Sequence, residues 1–278
     1  MADYLRPTSL DEALAALAQR PWTMLAGGTD VYPANVGRPI TDDVLDVTGV
    51  PSLRAISFAD GHIRIPALAT WTDVVRADLP TAFDGLKTAA RSIGGVQIQN
   101  RGTLAGNLCN ASPAADGLPN LMALDARVEL SSAAGRREVP VGEFVVGNRR
   151  TIRRPDELVT AILVPTPPPS ARSTFLKLGS RAYLVISIAS VACVMDVGPD
   201  GRVAAARIVV GACSEVPMRL EAAEARLVGE VASPSLAETM VAGDLDGLAP
   251  IDDVRGAATY RRDVALTLVR RAVSGLLG

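Results

Sequence analysis

Arg101-Gly102-Thr103-Leu104-Ala105-Gly106-Asn107, continued by Ala111-Ser112-Pro113-Ala114-Ala115-Asp116, is the stretch on which the reading of this chain turns. The two dozen residues 93–116 hold four glycines, three asparagines, Thr103 and Ser112, but only two formal charges, Arg101 and Asp116. Such glycine density argues for a loop rather than a regular element. Glycine lets backbone approach a ligand closely, the short polar side chains add neutral donors, and successive backbone N–H groups make a concave anion site.

A second run has the same character. Leu25-Ala26-Gly27-Gly28-Thr29-Asp30 follows a short apolar strand and precedes a turn or short helix, so the two runs read as two walls of one cleft. Neither is a mononucleotide loop: no Lys follows the glycines as a Walker loop requires, and the Gly-x-Gly-x-x-Gly spacing is missing from both.

Composition narrows the function classes. With 28 basic and 30 acidic residues the net charge is −2, and no block of one sign offers the basic surface that nucleic acid demands. The pairs Arg149-Arg150 and Arg153-Arg154 read as solvated surface. No uncharged apolar stretch reaches the ~18 residues of a membrane span, and no leader pattern opens the chain, so the expectation is a cytoplasmic protein. Three cysteines without Cys-x-x-Cys argue against a disulfide framework, and the spacing of a cluster or zinc site is missing. Cys193 reads as core, and Cys109, inside the glycine run, as packing. His62 is the single histidine and opens a hairpin strand, which leaves no base for a Ser-His-Asp enzyme.

Taken in order, Ser9-Leu10-Asp11-Glu12 predicts a capping box and a helix with Ala13, Leu14 and Leu17 on one face. Residues 22–25 and 44–47 read as strands of a small βαβ-like unit. Residues 55–58 and 62–65 form a hairpin across Ala59-Asp60-Gly61, residues 127–130 and 137–139 another, and 158–164 a strand. Pro165-Thr166-Pro167-Pro168-Pro169 is the clearest boundary, because stacked prolines cannot continue a sheet. Beyond it, 174–178, 186–197 and 203–211 are strands, the last two joined across Gly198-Pro199-Asp200-Gly201, and the rest is helical. The division predicted is 1–165, in parts of about 1–52 and 53–165, then 170–278.

These motifs resemble the FAD-binding subunit of the molybdenum hydroxylases, the xanthine dehydrogenase and carbon monoxide dehydrogenase family. The likeness rests on Ala26-Gly27-Gly28-Thr29-Asp30, on Thr103-Leu104-Ala105-Gly106-Asn107 where the family has Thr-Ile-Gly-Gly-Asn, and on the continuation to Asp116. Pro155-Asp156-Glu157-Leu158-Val159 and Phe175-Leu176-Lys177-Leu178-Gly179 extend it over nearly the whole chain. Ala105 departs from the family glycine and requires a backbone conformation that an L-residue tolerates.

The resemblance implies an α+β chain: a two-subdomain FAD-binding domain of the vanillyl-alcohol-oxidase-like (PCMH) type, then a domain with a three-stranded antiparallel sheet and helices. It implies FAD contacts from Leu25, Ala26, Gly27, Gly28, Thr29 and Asp30, and from Thr103, Leu104, Ala105, Gly106 and Asn107. It adds Ile93 and Val159 as apolar contacts, Asp116 as a cofactor-binding carboxylate and Lys177 near the electron-accepting edge. No protein acid or base and no metal ligand is singled out.

The implied partners are a small iron–sulfur subunit carrying [2Fe-2S] clusters and a large molybdopterin subunit, in a dimer of heterotrimers. The flavin would pass electrons from those clusters to an external acceptor. Two other readings stay open at this stage: a self-contained FAD oxidoreductase of the vanillyl-alcohol-oxidase fold group, and a non-catalytic assembly subunit.

Overall fold

The computed structural model describes residues 2–59 and 61–278. Ser9 caps the first helix, Leu10–Gln19, its Oγ accepting from the Glu12 N–H at 3.2 Å. Glu12 reaches back to the Thr8 N–H at 2.8 Å instead of to Ser9, so the expected box closes one residue earlier. Beside this helix lie three short parallel strands, β1 (Tyr4–Leu5), β2 (Thr23–Leu25) and β3 (Val44–Asp46), in the order β1-β3-β2. Strand β2 ends at buried Leu25, which fixes where the first glycine loop begins.

The middle of the chain contributes β4 (Ser57–Ala59), β5 (His62–Pro66), β6 (Arg127–Ser132), β7 (Gly135–Pro140), the separate pair β8 (Val145–Gly147) and β9 (Arg150–Thr151), and β10 (Leu158–Pro165). Five of these form one antiparallel sheet in the order β4-β5-β10-β6-β7. Asp60, in the β4–β5 turn, lies outside the described residues. Central β10 is buried from Leu158 to Val164, and its register against β6 shifts between Val159 and Ala161. A bulge of this kind re-aims a side chain, and here it falls beside the cleft described below.

The glycine-rich run is more regular than its composition predicts: Val96–Gln99 and Leu104–Asn110 are helical. Thr103 caps the second helix, its Oγ accepting from the Gly106 N–H at 2.9 Å. A Cβ on Gly106 would lie 2.8 Å from that hydroxyl, so here glycine permits the cap instead of opposing the helix. Leu104 and Leu108 are fully buried and anchor the helix, which ends at Ala111 with φ +47°. Ala105 sits in the first helical turn, where an L-residue is unstrained.

Beyond the prolines, β11 (Arg172–Leu178), β12 (Ala189–Val197), β13 (Val203–Gly211) and β14 (Met218–Arg219) form an antiparallel sheet in that order. The expected three strands gain a fourth because Met218 and Arg219 return alongside Val210 and Val209. Alternation then divides the sheet's side chains between two cores. Phe175, Ala192, Val194 and Val209 join the core of the preceding 170 residues or so, while Val191, Cys193, Ile208 and Val210 pack with Ala265, Leu268 and Val269 of the helix Ala258–Leu277. The segment 234–239, expected as α-helix, is 3-10 in form.

Two buried carboxylates tie strands together. Glu157 takes Arg137 through both oxygens, at 2.6 and 2.8 Å, and the Arg154 N–H at 2.7 Å. The Arg137 hydrogen bond holds its carboxyl below the usual carboxylate range against the opposing pull of burial. For Glu129, burial is the largest influence and raises the value, but Arg64 and Thr160 together outweigh it and leave it lowered. A depressed folded value gives stability that is complete above the unfolded pKa, about 4.3, and is lost as pH falls through the lower folded one. Melting temperature is therefore expected to drop as pH is lowered below about 4.3, and Glu157→Gln to flatten that drop. Thermal unfolding of both proteins from neutral pH downward checks this, and parallel curves would place the dependence elsewhere.

Candidate functional site

The two glycine runs face one another across a cleft of about 590 Å³. Ala26, Gly27, Gly28, Thr29 and Asp30 line one wall, and Thr103, Ala105, Gly106 and Asn107 the other. Ile93 and Val159 supply apolar lining. Of the residues expected at the site, four stand back from this lining. Leu25 and Leu104 are buried in the core, and the Leu104 N–H is bonded to the Ala69 carbonyl at 3.1 Å. Asp116 and Lys177 pair with each other instead of facing the cleft.

Backbone contact between the loops sets the shape of the cleft. An ideal Cβ on Gly27 would lie 2.0 Å from the Arg101 carbonyl oxygen, so only glycine allows the walls to meet here. Gly28 is needed for a different reason: its φ is +75°, in the left-handed region. Thr103 accepts the cap bond from Gly106 and still has its own O–H to donate.

Among the described residues, Asn107 Oδ1 is the one buried side-chain polar atom with no hydrogen-bond partner. An unpaired buried acceptor costs about 1–3 kcal/mol, and this one belongs to a residue of the cleft wall. At the mouth, Asp30 accepts from Asn110 Nδ2 at 3.1 Å, and Asn110 Oδ1 accepts from the Arg149 guanidinium. Arg149 itself has φ +58° and gives its N–H to the Ala111 carbonyl at 2.9 Å. A chain of bonds thus runs from the first loop to the β8–β9 turn.

Sequence reasoning missed these last residues. Arg149 and Arg153, expected at the solvated surface, both line the cleft, with Thr151 between them, while Arg150 turns away and lies 3.6 Å from Glu215. The period-two pattern of Arg149, Thr151 and Arg153 was the available signal. Cys109, expected in packing, keeps exposed surface and lines the cleft. Crowding by surrounding atoms pushes its thiol up to about 11, with Arg153 pulling weakly the other way.

Asp116 and Lys177 lie where the C-terminal sheet meets the second wall. Lys177 Nζ donates to Asp116 Oδ2 at 2.8 Å and Ser187 Oγ donates to Oδ1 at 2.6 Å. Both charged side chains are close to fully buried, at 11% and 8% exposure. Ser187 is a third member that the sequence did not single out. Asp116 occupies the N-cap position of the helix Gly117–Ala123 but makes no cap bond through its side chain.

Residues 1–167 match the family described as the FAD binding domain in molybdopterin dehydrogenase, and residues 174–276 match the CO dehydrogenase flavoprotein C-terminal domain. The chain belongs to the FAD-binding medium subunits of the xanthine dehydrogenase and carbon monoxide dehydrogenase family. This medium subunit is 32% identical to the nicotinate dehydrogenase FAD-subunit of Eubacterium barkeri, over 86% of this chain and 83% of the relative. It superimposes on a chain of reconstituted CO dehydrogenase from Oligotropha carboxidovorans with TM-score 0.90 at 28% identity, covering 98% of this chain and 96% of the other. The match to quinoline 2-oxidoreductase from Pseudomonas putida 86 has TM-score 0.89 at 26% identity, covering 100% and 97%.

As a member, this medium subunit is the FAD-binding oxidoreductase component of a multi-subunit molybdenum hydroxylase. Among the described residues no helix is long and apolar enough to cross a membrane.

Proposed function

We propose that the chain holds FAD across the cleft and relays electrons from the iron–sulfur clusters of a small partner subunit to an external acceptor. The observation that carries the assignment of FAD to this cleft is the unpaired, buried Asn107 Oδ1 on its wall, opposite the loop whose Gly27 leaves no room for a side chain. A cleft of about 590 Å³ is within the range of cofactor pockets. Apart from Asp30 the loops that line the cleft carry no charge, and amide dipoles with the Thr29 and Thr103 hydroxyls provide donors for the pyrophosphate, Arg149 and Arg153 being the cations of the lining. When bound, FAD supplies the conversion between single-electron and paired-electron transfer that such a relay needs.

This chain's own residues bind and orient. The loops take the phosphates, Ile93 and Val159 offer apolar contact, and the Asp30–Asn110–Arg149 chain closes the mouth. Asp116 and Lys177 serve as a unit: a cofactor hydroxyl or amine that takes an oxygen of Asp116 competes with Ser187 for it. We divide the chain at the proline run, with a FAD-binding domain of the PCMH type over 1–165 and a C-terminal α+β domain over 170–278.

A large molybdopterin subunit and a small [2Fe-2S] subunit complete the enzyme, as a cytoplasmic dimer of heterotrimers. Substrate is selected on another chain. Similar subunits belong to enzymes named for nicotinate, quinoline and carbon monoxide.

The test is the visible spectrum of the purified chain with added FAD, with one FAD released per chain as the expected result. Cys109 gives an independent readout. Iodoacetamide at alkaline pH is expected to label Cys109, and FAD at about a hundred times its Kd to slow that labelling at least tenfold. Cys193 and Cys213, both buried, stay unlabelled in the folded chain. Equal labelling of Cys109 with and without saturating FAD would place the cofactor outside this cleft.

A further inference from the structure

Behind the first glycine loop lies a second cavity, of about 400 Å³. It shares Ala26, Gly27 and Thr103 with the cofactor cleft and is otherwise built from different residues. Three guanidiniums reach it from three separate segments: Arg6 after β1, Arg54 after the 3-10 turn Pro51–Leu53, and Arg101 from the central run.

One carboxylate, Asp46, stands among them, which leaves a formal surplus of two positive charges, three less one. That carboxylate is already committed within the fold. It accepts the Tyr4 O–H at 2.5 Å and the Thr48 N–H at 2.9 Å, and its side chain is 10% exposed. Arg6 meets it at a long 3.6 Å. Arg54 gives an N–H to the Thr48 carbonyl at 2.8 Å and has no ion-pair partner among the described residues. The Arg101 backbone N–H goes to the Ile98 carbonyl at 3.1 Å, while its guanidinium has neither a hydrogen-bond nor an ion-pair partner among the described residues. Asn100 Oδ1 is occupied by the Thr72 hydroxyl at 2.7 Å, so its amide NH₂ is the polar end left over.

We infer that this cavity is a binding site for a small phosphorylated ligand, held by Arg6, Arg54 and Arg101 outside the cofactor cleft. All three side chains are exposed, Arg6 at 56%, so water screens their mutual repulsion; what the cavity offers is an array of guanidinium donors that Asp46, already committed to Tyr4 and Thr48, does not satisfy and that an anion entering it would. Their forked donors match the oxygens of a phosphate better than a single carboxylate, which two of them would already satisfy. The volume exceeds that of an inorganic ion and suits a nucleotide-sized molecule.

The site is also placed to communicate. Arg101 presents its side chain to this cavity while its carbonyl packs on Gly27, the contact through which the two cofactor loops meet. On the FAD reading above, ligand at Arg101 and FAD in the cleft each change the affinity of the other by one common factor.

Calorimetric titration of the full-length chain with inorganic pyrophosphate and with AMP, with and without saturating FAD, tests the inference. One anion is expected to bind per FAD-loaded chain, more weakly as salt rises. Pyrophosphate binding as tight as AMP binding would mean the phosphate alone is read, and tighter AMP binding would mean a nucleotide ligand. The double variant Arg6→Ala/Arg54→Ala is expected to weaken that binding at least tenfold, with FAD content and flavin spectrum unchanged, since neither residue lines the cofactor cleft.

Two results overturn it: no anion binding once FAD is saturating, which would assign the anion to the cofactor cleft, or wild-type affinity in the double variant. A chain that fails to bind FAD sinks the cofactor reading instead, and the same variant still decides the anion site in that chain.

Discussion

Gly27→Ala is expected to weaken FAD binding by between about fivefold and about 150-fold, the equivalent of an overpacking cost of about 1–3 kcal/mol. The added Cβ would lie 2.0 Å from the Arg101 carbonyl oxygen, 2.7 Å from its carbon and 3.0 Å from Gly102 Cα. All three are backbone atoms, so no rotamer change relieves the clash and one loop must move. The loops are the two walls of the cleft, and separating them displaces Thr103 and the helix it caps from the first loop.

Gly275→Ala is the matched control: it lies in the helix Ala258–Leu277, and its Cβ would meet nothing within 4 Å. That change is expected to leave FAD binding alone and raise stability by about 0.5–1 kcal/mol. Fluorescence titration with FAD reads the affinity, and thermal unfolding separates loss of binding from loss of fold. Wild-type affinity in Gly27→Ala would mean that the loop contact does not shape the site.

The glycine loops were legible in the sequence because their chemistry is local. Gly27-Gly28 after an apolar strand and the Thr/Asn/Gly run before Asp116 are short-range signals, and the chain folds them onto one cleft. What misled was treating glycine as evidence against helix. Thr103 and Gly106, three residues apart, form a cap in which the missing Cβ makes room for the hydroxyl, and two buried leucines then hold the turn.

The links made by Arg149 and Ser187 were not legible for a different reason. Each acts across a long sequence separation: Arg149 reaches Asn110 and Ser187 reaches Asp116, links that only the tertiary fold creates. The same holds for β14, a two-residue strand too short for any pattern to announce. Sheet alternation was readable in β12, but not that one of its faces would complete the N-terminal core while the other faces the last helix.

Lys177→Met is expected to lower the melting temperature by about 10 °C, from a loss of about 3–5 kcal/mol. It leaves the Asp116 carboxylate buried with Ser187 as its remaining side-chain donor. The cost comes from the stranded charge, not from the worth of the pair, so Asp116→Asn/Lys177→Met should recover most of the loss. Ser187→Ala removes one bond to a charged acceptor and should cost less, about 1.5–3 kcal/mol.

The consequence for function runs through the next residue. A Cβ on Gly117 would lie 2.7 Å from Asn107 Oδ1, so the start of the helix after Asp116 packs directly on the side chain that carries the cofactor assignment. Loss of Lys177 should therefore loosen Asn107 and weaken FAD binding as well as stability, and the double variant should restore stability while leaving binding impaired. If FAD affinity instead recovers with stability in the double variant, the pair is a strut between the C-terminal sheet and the second wall, and its charges make no contribution of their own to holding the cofactor.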